Sequence, residues 1–426
     1  MDARSSSNRR QFLKAAVAAG GATALSACLE LADGPVPTGV EDPGELPQRQ
    51  HAWNDRVRTD EHGNVELPRH QLLLYLSLPE AGPPTDADRV TLQDVLRTLD
   101  RAYERSHEGL LYSIGYSPAY FDRFDAALPE QVDLPPPRRL SPFEEPTFDT
   151  QDALLHLASD RAAVVLEADQ ALRGERDSAN GFTVETPLTD VFEMADRRSG
   201  FVGAGMPAER QDVEGIPDSE PVPEAAPLFM GFEAGFRGNQ ATEDRVTIQN
   251  GPFAGGTTKH VSRLRQRLDD WYDEQTFEQR VMELFSPAHA EADLVEGVGE
   301  NLGSNSALSP EMIENVREHA REHGRVGHAQ KAARANRDEV GRVRLLRRHI
   351  ESTDGDVAAL HFPSLQRNLS AFEEVREAMN GTDLTDEPAI RQRVNNGILE
   401  YIFTTHRGNF LVPPRDLRAL PSPRPA

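Results

Sequence analysis

Short apolar runs alternate with helically spaced apolar positions from about residue 70 onward. QLLLYLSL (Gln71 to Leu78) is a run of strand length, and Leu92, Val95, Leu96, Leu99 and Tyr103 follow at the spacing of one helix face. LLYSIGYS (Leu110 to Ser117) predicts a second strand. The same order then repeats, with DALLHLAS (Asp152 to Ser159) as strand, Ala162 to Leu172 as helix and Asp190 to Met194 as a closing strand. Two strand-helix-strand units between residues 71 and 194 predict a ferredoxin-like α+β domain.

A Pro- and Glu-rich break over Gly215 to Pro227 ends that unit, and a looser version of the pattern resumes after it. GGTTKHVSRLRQRL (Gly255 to Leu268) predicts a strand with Arg263, Arg265 and Arg267 on alternate positions. Phe277 to Leu284 predicts a helix, Val357 to Leu365 a strand, Leu369 to Met379 a helix and Phe410 to Pro414 a last strand. The polar stretch Pro287 to Val340, full of His, Arg and Asn, interrupts this plan. The fold class predicted is α+β, with two ferredoxin-like domains forming a dimeric α+β barrel-like body, each an antiparallel sheet with peripheral helices. The boundaries are 67–214 for the first domain and 215–426 for the second, with an insertion at about 287–340. Residues 28–66, rich in Pro, Gly and acid, read as a flexible tether. A cofactor is expected where the insertion meets the second sheet.

Charge narrows the partners. The net charge is −24, only Lys14, Lys259 and Lys331 are lysines, and the acid is spread along the whole chain. Such a surface repels nucleic acid and anionic lipid. It also suits a protein working in very high salt, where repulsion is screened within about 3 Å at 1 M.

The first 27 residues carry paired Arg9 and Arg10, then Phe12 and Leu13, then a small-residue run from Ala15 to Leu25. That run is too short for a bilayer span, which takes about 20 apolar residues, and reads as a twin-arginine export signal. Leu25-Ser26-Ala27-Cys28 has the form of a lipobox, which makes Cys28 a lipidation site. Cys28 is the only cysteine, so no disulfide forms within one chain. The predicted location is the outer face of the cytoplasmic membrane, held by a lipid anchor only, or the extracellular space. Twin-arginine export carries folded proteins, which favours a bound prosthetic group.

Several motifs compete for chemistry. MGFEAGFRGN (Met230 to Asn239) has glycines at 231, 235 and 238, but no Lys-Ser/Thr follows and no parallel βαβ unit surrounds it, which excludes a P-loop or dinucleotide site. HAREH (His319 to His323) has the spacing of an inverted zinc-protease motif with Glu322 as its acid, against the plainer reading of a solvated His face. Ser117, Ser262 and Ser364 lack a nucleophile elbow.

Five blocks in order give the chain a family resemblance. LLYSIGYSPAYFDRF (Leu110 to Phe124), GGTTKHVSRLRQRLDDWYDEQTFEQRV (Gly255 to Val281), RVRLLRRHI (Arg342 to Ile350), VAALHFPSLQRN (Val357 to Asn368) and GNFLVPP (Gly408 to Pro414) together resemble the dye-decolorising peroxidases. The resemblance implies a haem b cofactor in the second domain, hydrogen peroxide and an organic electron donor as substrates, and assembly into a homo-oligomer. GHAQKAARAN places His328 where the family has its proximal iron ligand. Arg347 falls at the distal arginine, with His349 where a glycine is expected, and Arg348 and Arg263 are placed to hold haem propionates. The family's G-F-x-D-G turn corresponds to Gly231, Phe232, Glu233, Ala234 and Gly235, whose glycines would let backbone approach the porphyrin while Phe232 packs beneath. Ala234 then stands where the distal acid-base belongs. Glu233 is a weak substitute for it, and Glu243 or Asp244 would serve only if their loop folded over the haem. Loss of a general acid-base typically costs about 10² to 10⁴ in rate. The alternatives are a haem-handling or iron-acquisition lipoprotein without turnover, and a non-haem scaffold that keeps the fold.

Overall fold

Leu72, Leu74 and Leu76 alternate with Leu73 and Tyr75 along one strand in which only the last residue is not buried, so both of its faces need a cover. The computed structural model, which describes residues 34–425, shows what covers them. In chain order the main elements are β1 (His70–Ser77), α1 (Asp86–Ala102), β2 (Leu111–Tyr116), β3 (Ala153–Ser159), α2 (Ala162–Leu172), β4 (Glu193–Phe201), β5 (Thr257–Gln266) and α3 (Phe277–Leu284). They continue with α4 (Val316–His323), α5 (His328–Ala333), β6 (Leu346–Arg347), β7 (Ile350–Ser352), β8 (Ala359–Gln366), α6 (Leu369–Asn380) and β9 (Ile402–Val412).

The first four strands pair antiparallel in the order β4-β1-β3-β2, and β7-β8-β5-β9 pair in the same way. Glu351 opposite Phe201 and Leu411 opposite Tyr116 join the edges of the two sheets, closing a ring of strands that leaves no long free edge between them. Leu72, Leu74 and Leu76 pack in one apolar core with Leu92, Val95, Leu96 and Leu99 of α1 and Val164, Val165 and Ala168 of α2. Leu73 and Tyr75 point the other way and meet Leu154, Val261 and Phe410 from both sheets, which forms the core inside the ring. Helix α1 begins at a reciprocal cap in which Thr85 accepts from Asp88 N and the Asp88 carboxylate accepts from Thr85 N.

The helices over Ala162–Leu172 and Phe277–Leu284 fall at the bounds the periodicity predicts. Strand β4 starts three residues later than expected because Leu188–Asp190 form a 3-10 turn, and β9 begins eight residues before Phe410 because its polar half carries no apolar signal. The expected tether is not free: residues 34–66 pack onto the body. The Gln50 side chain donates to Pro413 O, just past the end of β9, at 2.8 Å and accepts from Ile114 N of β2 at 3.0 Å, thereby bridging the two sheets. Trp53 is 2% exposed, with the Arg348 guanidinium 4.5 Å over its ring. Composition reports a lack of periodicity and is blind to one large side chain docking into a slot. The insertion expected at about 287–340 is helical, with Pro287–Glu291 and Pro310–Glu314 preceding α4 and α5.

Arg9, Arg10 and Cys28, expected from the sequence to serve export and lipidation, lie outside the described residues. Among those described, no helix is long and apolar enough to cross a membrane.

Candidate functional site

Helices α5 and α6, strands β5 and β8 and the turn through Phe232–Phe236 enclose a cavity of about 320 Å³ with mostly apolar walls, including Leu264, Leu345, Leu360, Phe362, Phe372 and Val375. That volume is at the lower end of the range for ligand pockets.

His328 opens α5 and lines this cavity. The residue before it must be glycine, since a Cβ on Gly327 would lie 1.8 Å from Phe285 O. Lys331, one turn on, is fully buried and donates to Met379 O at 2.7 Å and Asn396 O at 2.8 Å, which ties α5 down beside the end of α6. Neither ring nitrogen of His328 has a hydrogen-bond partner among the described residues. Burial first, then the nearby Lys331, Arg347 and Arg376 charges, lowers its pKa to about 3. A neutral, unbonded imidazole results, the form that ligates iron.

Arg347 lines the same cavity. Gln240 grips its backbone from both sides, accepting from Arg347 N at 2.9 Å and donating to Arg347 O at 2.9 Å. Its guanidinium makes only long bonds, 3.4 Å to Gln240 Oε1 and 3.3 Å to Asn239 O, and meets no carboxylate among the described residues. Burial lowers its pKa to about 10, so it stays a cation at neutral pH.

His349 is the residue whose importance the sequence understated. It lines the cavity, is 9% exposed, and lies parallel to Phe362 with an interplanar angle of 9° and centroids 6.2 Å apart. Its Nδ1 is enclosed without a partner, and burial followed by the Arg347 charge lowers its pKa to about 3. The signal for it was the i, i+2 spacing from Arg347, which puts two side chains on one side of an extended chain. Glu351, also on the cavity wall, was missed altogether. It accepts from Phe229 N at 2.8 Å and from the Gln266 side chain, and burial pushes its pKa up to about 8.

The glycine turn divides between these environments. Phe232, Glu233, Ala234 and Gly235 line the cavity, whereas Gly231 does not. Gly231 has φ 84°, and a Cβ there would meet Tyr272 Oη at 2.8 Å, so this glycine serves the turn. Phe232 packs edge-on against Phe285 with centroids 5.7 Å apart. The Ala234 methyl is exposed, while the half-buried Glu233 carboxyl is raised in pKa by desolvation, Asp60 and Glu300.

The structure does not bring Arg263 or Arg348 to this cavity. Arg263 donates to Asp354 O at 2.8 Å, and Arg348 forms a buried ion pair with Glu243 at 2.8 Å. Glu243 also accepts from Asn54 N, and Asp244 pairs with Arg49, so neither reaches back over the site. His319 is bonded through Nδ1 to the Gln330 amide at 2.8 Å, and no group of three His, Cys, Asp or Glu side chains able to hold a metal occurs among the described residues.

A second cavity of about 470 Å³ lies on the other side of the wall formed by Glu233–Phe236, Arg347 and His349, all of which line both spaces.

A family model described as "Family of unknown function (DUF7405)" matches residues 68–414. Among solved structures, a variant of DypB from Rhodococcus jostii RHA1 in complex with heme is 16% identical with a TM-score of 0.55, covering 83% of this chain and 96% of that one. A dye-decolorizing protein from V. cholerae is 14% identical with a TM-score of 0.50, covering 84% and 96%. A putative dyp-type peroxidase from Shewanella oneidensis is 16% identical with a TM-score of 0.51, covering 83% and 94%. No curated protein matches. At these identities the likeness is one of fold: a mixed α+β architecture of the kind found in dye-decolorising peroxidases.

Proposed function

The chain belongs to the family described as "Family of unknown function (DUF7405)", and we propose that it is an exported haem-binding protein that reduces hydrogen peroxide at the expense of an organic electron donor. The observation that carries this reading is one apolar cavity lined by a neutral imidazole with no hydrogen bond, His328, and by a buried guanidinium with no carboxylate, Arg347. The donor set fits a haem, since a flat apolar group needs apolar walls, one neutral nitrogen ligand and a cation where negative charge develops.

Haem, when bound, supplies the redox-active iron at which peroxide is reduced. His328 would hold that iron, with the Lys331 bonds to Met379 and Asn396 fixing the helix that carries the imidazole. Arg347 would supply the positive charge that stabilises negative charge on a peroxide oxygen. His349, two residues from Arg347 on the same wall, would present a neutral imidazole nitrogen that can accept a hydrogen bond from peroxide, although with its pKa lowered to about 3 it does not replace the acid-base for which Ala234 has no side chain. Arg337, which lines the cavity and whose guanidinium is bonded among the described residues to the Gly341 carbonyl, would replace Arg263 and Arg348 as the partner for a propionate. Each half of the ring is read as a ferredoxin-like unit, which the strand order 4-1-3-2 supports. Twin-arginine export, lipidation at Cys28 and homo-oligomeric assembly complete the proposal.

The test is a visible spectrum of the full chain supplied with haem in high salt. A Soret band that is lost in His328→Ala supports the reading, and no band in the folded wild type refutes it. Ala234 favours a second reading, haem handling without turnover. Rapid spectral change on adding peroxide, abolished by Arg347→Leu, decides for turnover, and no change decides for handling.

A further inference from the structure

The outer cavity of about 470 Å³ is electrostatically unlike the rest of the molecule. In a chain of net charge −24, it is lined by five arginines, Arg58, Arg69, Arg237, Arg347 and Arg348, against three carboxylates, Asp60, Glu66 and Glu233. The pairing is uneven as well. Arg58 is matched by Asp160 at 3.2 Å and Arg348 by Glu243 at 2.8 Å, whereas Arg69, Arg237 and Arg347 have no carboxylate partner among the described residues.

Two of the three carboxylates facing this space are already engaged. Asp60 accepts from His62 N at 2.9 Å, Asn64 N at 2.8 Å and Asn64 Nδ2 at 2.7 Å, which holds the turn around Gly63. Glu66 lies 3.5 Å from Arg58, and the half-buried Glu233 carboxyl is raised in pKa by desolvation, then by Asp60 and Glu300. Free cations beside occupied anions focus a positive potential into a cleft of an acidic protein. The lining also includes apolar side chains, Leu67, Val202, Pro227, Leu228, Phe236 and Leu346. Ala234 belongs to the partition between the two cavities. An acid there would add a negative charge to the wall that holds Arg347, whereas a methyl leaves that guanidinium free for an anion from outside.

We propose that this outer cavity binds a small aromatic carboxylate, its carboxylate among Arg69, Arg237 and Arg347 and its ring on those apolar side chains. The use of this site as the entrance for a phenolic carboxylate that donates electrons rests on the haem reading above. The binding itself does not.

The test is calorimetry of the full, haem-free chain with benzoate in about 1 M salt, where exposed charges are screened but contact pairs in a cleft persist. Expected are saturable one-to-one binding, benzyl alcohol at least about tenfold weaker, and at least about tenfold loss in the Arg69→Gln/Arg237→Gln double variant. Both guanidinium groups lie outside the ion pairs that hold the fold, so the double variant retains its folded contacts. Ala234→Asp weakens benzoate in the same direction. Equal affinity for benzyl alcohol, no saturable heat, or wild-type affinity in the double variant overturns the proposal. A haem titration of the wild type separates the two claims: benzoate binding without a Soret band refutes only the haem reading, and a Soret band without benzoate binding refutes only this one.

Discussion

Arg347→Leu is expected to raise the stability of the protein while removing its reactivity. Burial lowers the pKa of this guanidinium from 12.5 to about 10. At about 1.4 kcal/mol per pH unit that is roughly 3 kcal/mol spent on holding the charge away from water. The folded pKa lies below the unfolded one, so this cost is present in full at pH 7 and is relieved only as pH rises through about 10. Against it stand two side-chain hydrogen bonds of 3.3 and 3.4 Å, each worth about 0.5 to 1 kcal/mol. The backbone clasp by Gln240 survives the substitution, and leucine fills most of the space with apolar atoms. The net expectation is a gain of about 1 to 2 kcal/mol, read as a rise of roughly 1 to 2.5 °C in the melting temperature of a chain this long by calorimetry at fixed salt. The same variant, loaded with haem, is expected to respond to peroxide about 10² to 10³ times more slowly. A melting temperature that falls by a comparable amount would show that the guanidinium is solvated or paired in the folded protein, and the desolvation reasoning would fail with it.

Glu351, 1% exposed with its pKa raised to about 8, holds a proton in the folded protein that it loses near 4.5 when unfolded. Stability should therefore decline as pH rises from about 4.5 to 8, and Glu351→Gln, with the Gln266 amide turned to accept, should flatten that decline in melts taken at several pH values. The acid limb has the opposite sign: His51, His328 and His349, all lowered to about 3, are neutral when folded and take up protons on unfolding below 6.5, so melting temperature should drop steadily from pH 6.5 toward 4. Unchanged melts across that window would refute the neutral-histidine assignment. Trp53→Ala should cost about 3 to 5 kcal/mol and open residues 34–66 to proteolysis, with cleavage mapped by mass spectrometry; a segment as protected as in the wild type would refute its role as an anchor.

Much of the site was legible because the relevant signals are local. His328 follows a glycine at a helix start, Arg347 sits on a short strand, and Gly231 and Gly235 both take the positive φ that their turn needs. The resemblance put Arg263 and Arg348 on haem propionates, but local sequence does not say what each cation bonds elsewhere in the fold: Arg263 donates to Asp354 O and Arg348 pairs with Glu243. Glu243 is 105 residues from Arg348 in sequence and 2.8 Å away in space.

The sequence by itself determined the strands, the long helices, the acidic charge and the identity of His328 and Arg347 as candidates. These follow from periodicity, composition and short-range spacing, which need no knowledge of what lies opposite. Only the tertiary structure decided that the two sheets close into a ring, that residues 34–66 clasp it, that His349 and Glu351 face the inner cavity, and that a second, arginine-lined cavity stands behind Ala234. The physical reason is that desolvation and ion pairing depend on neighbours brought together by long-range contacts. Whether a buried charge is satisfied or left free for a ligand is therefore set by the folded chain and not by the residues beside it.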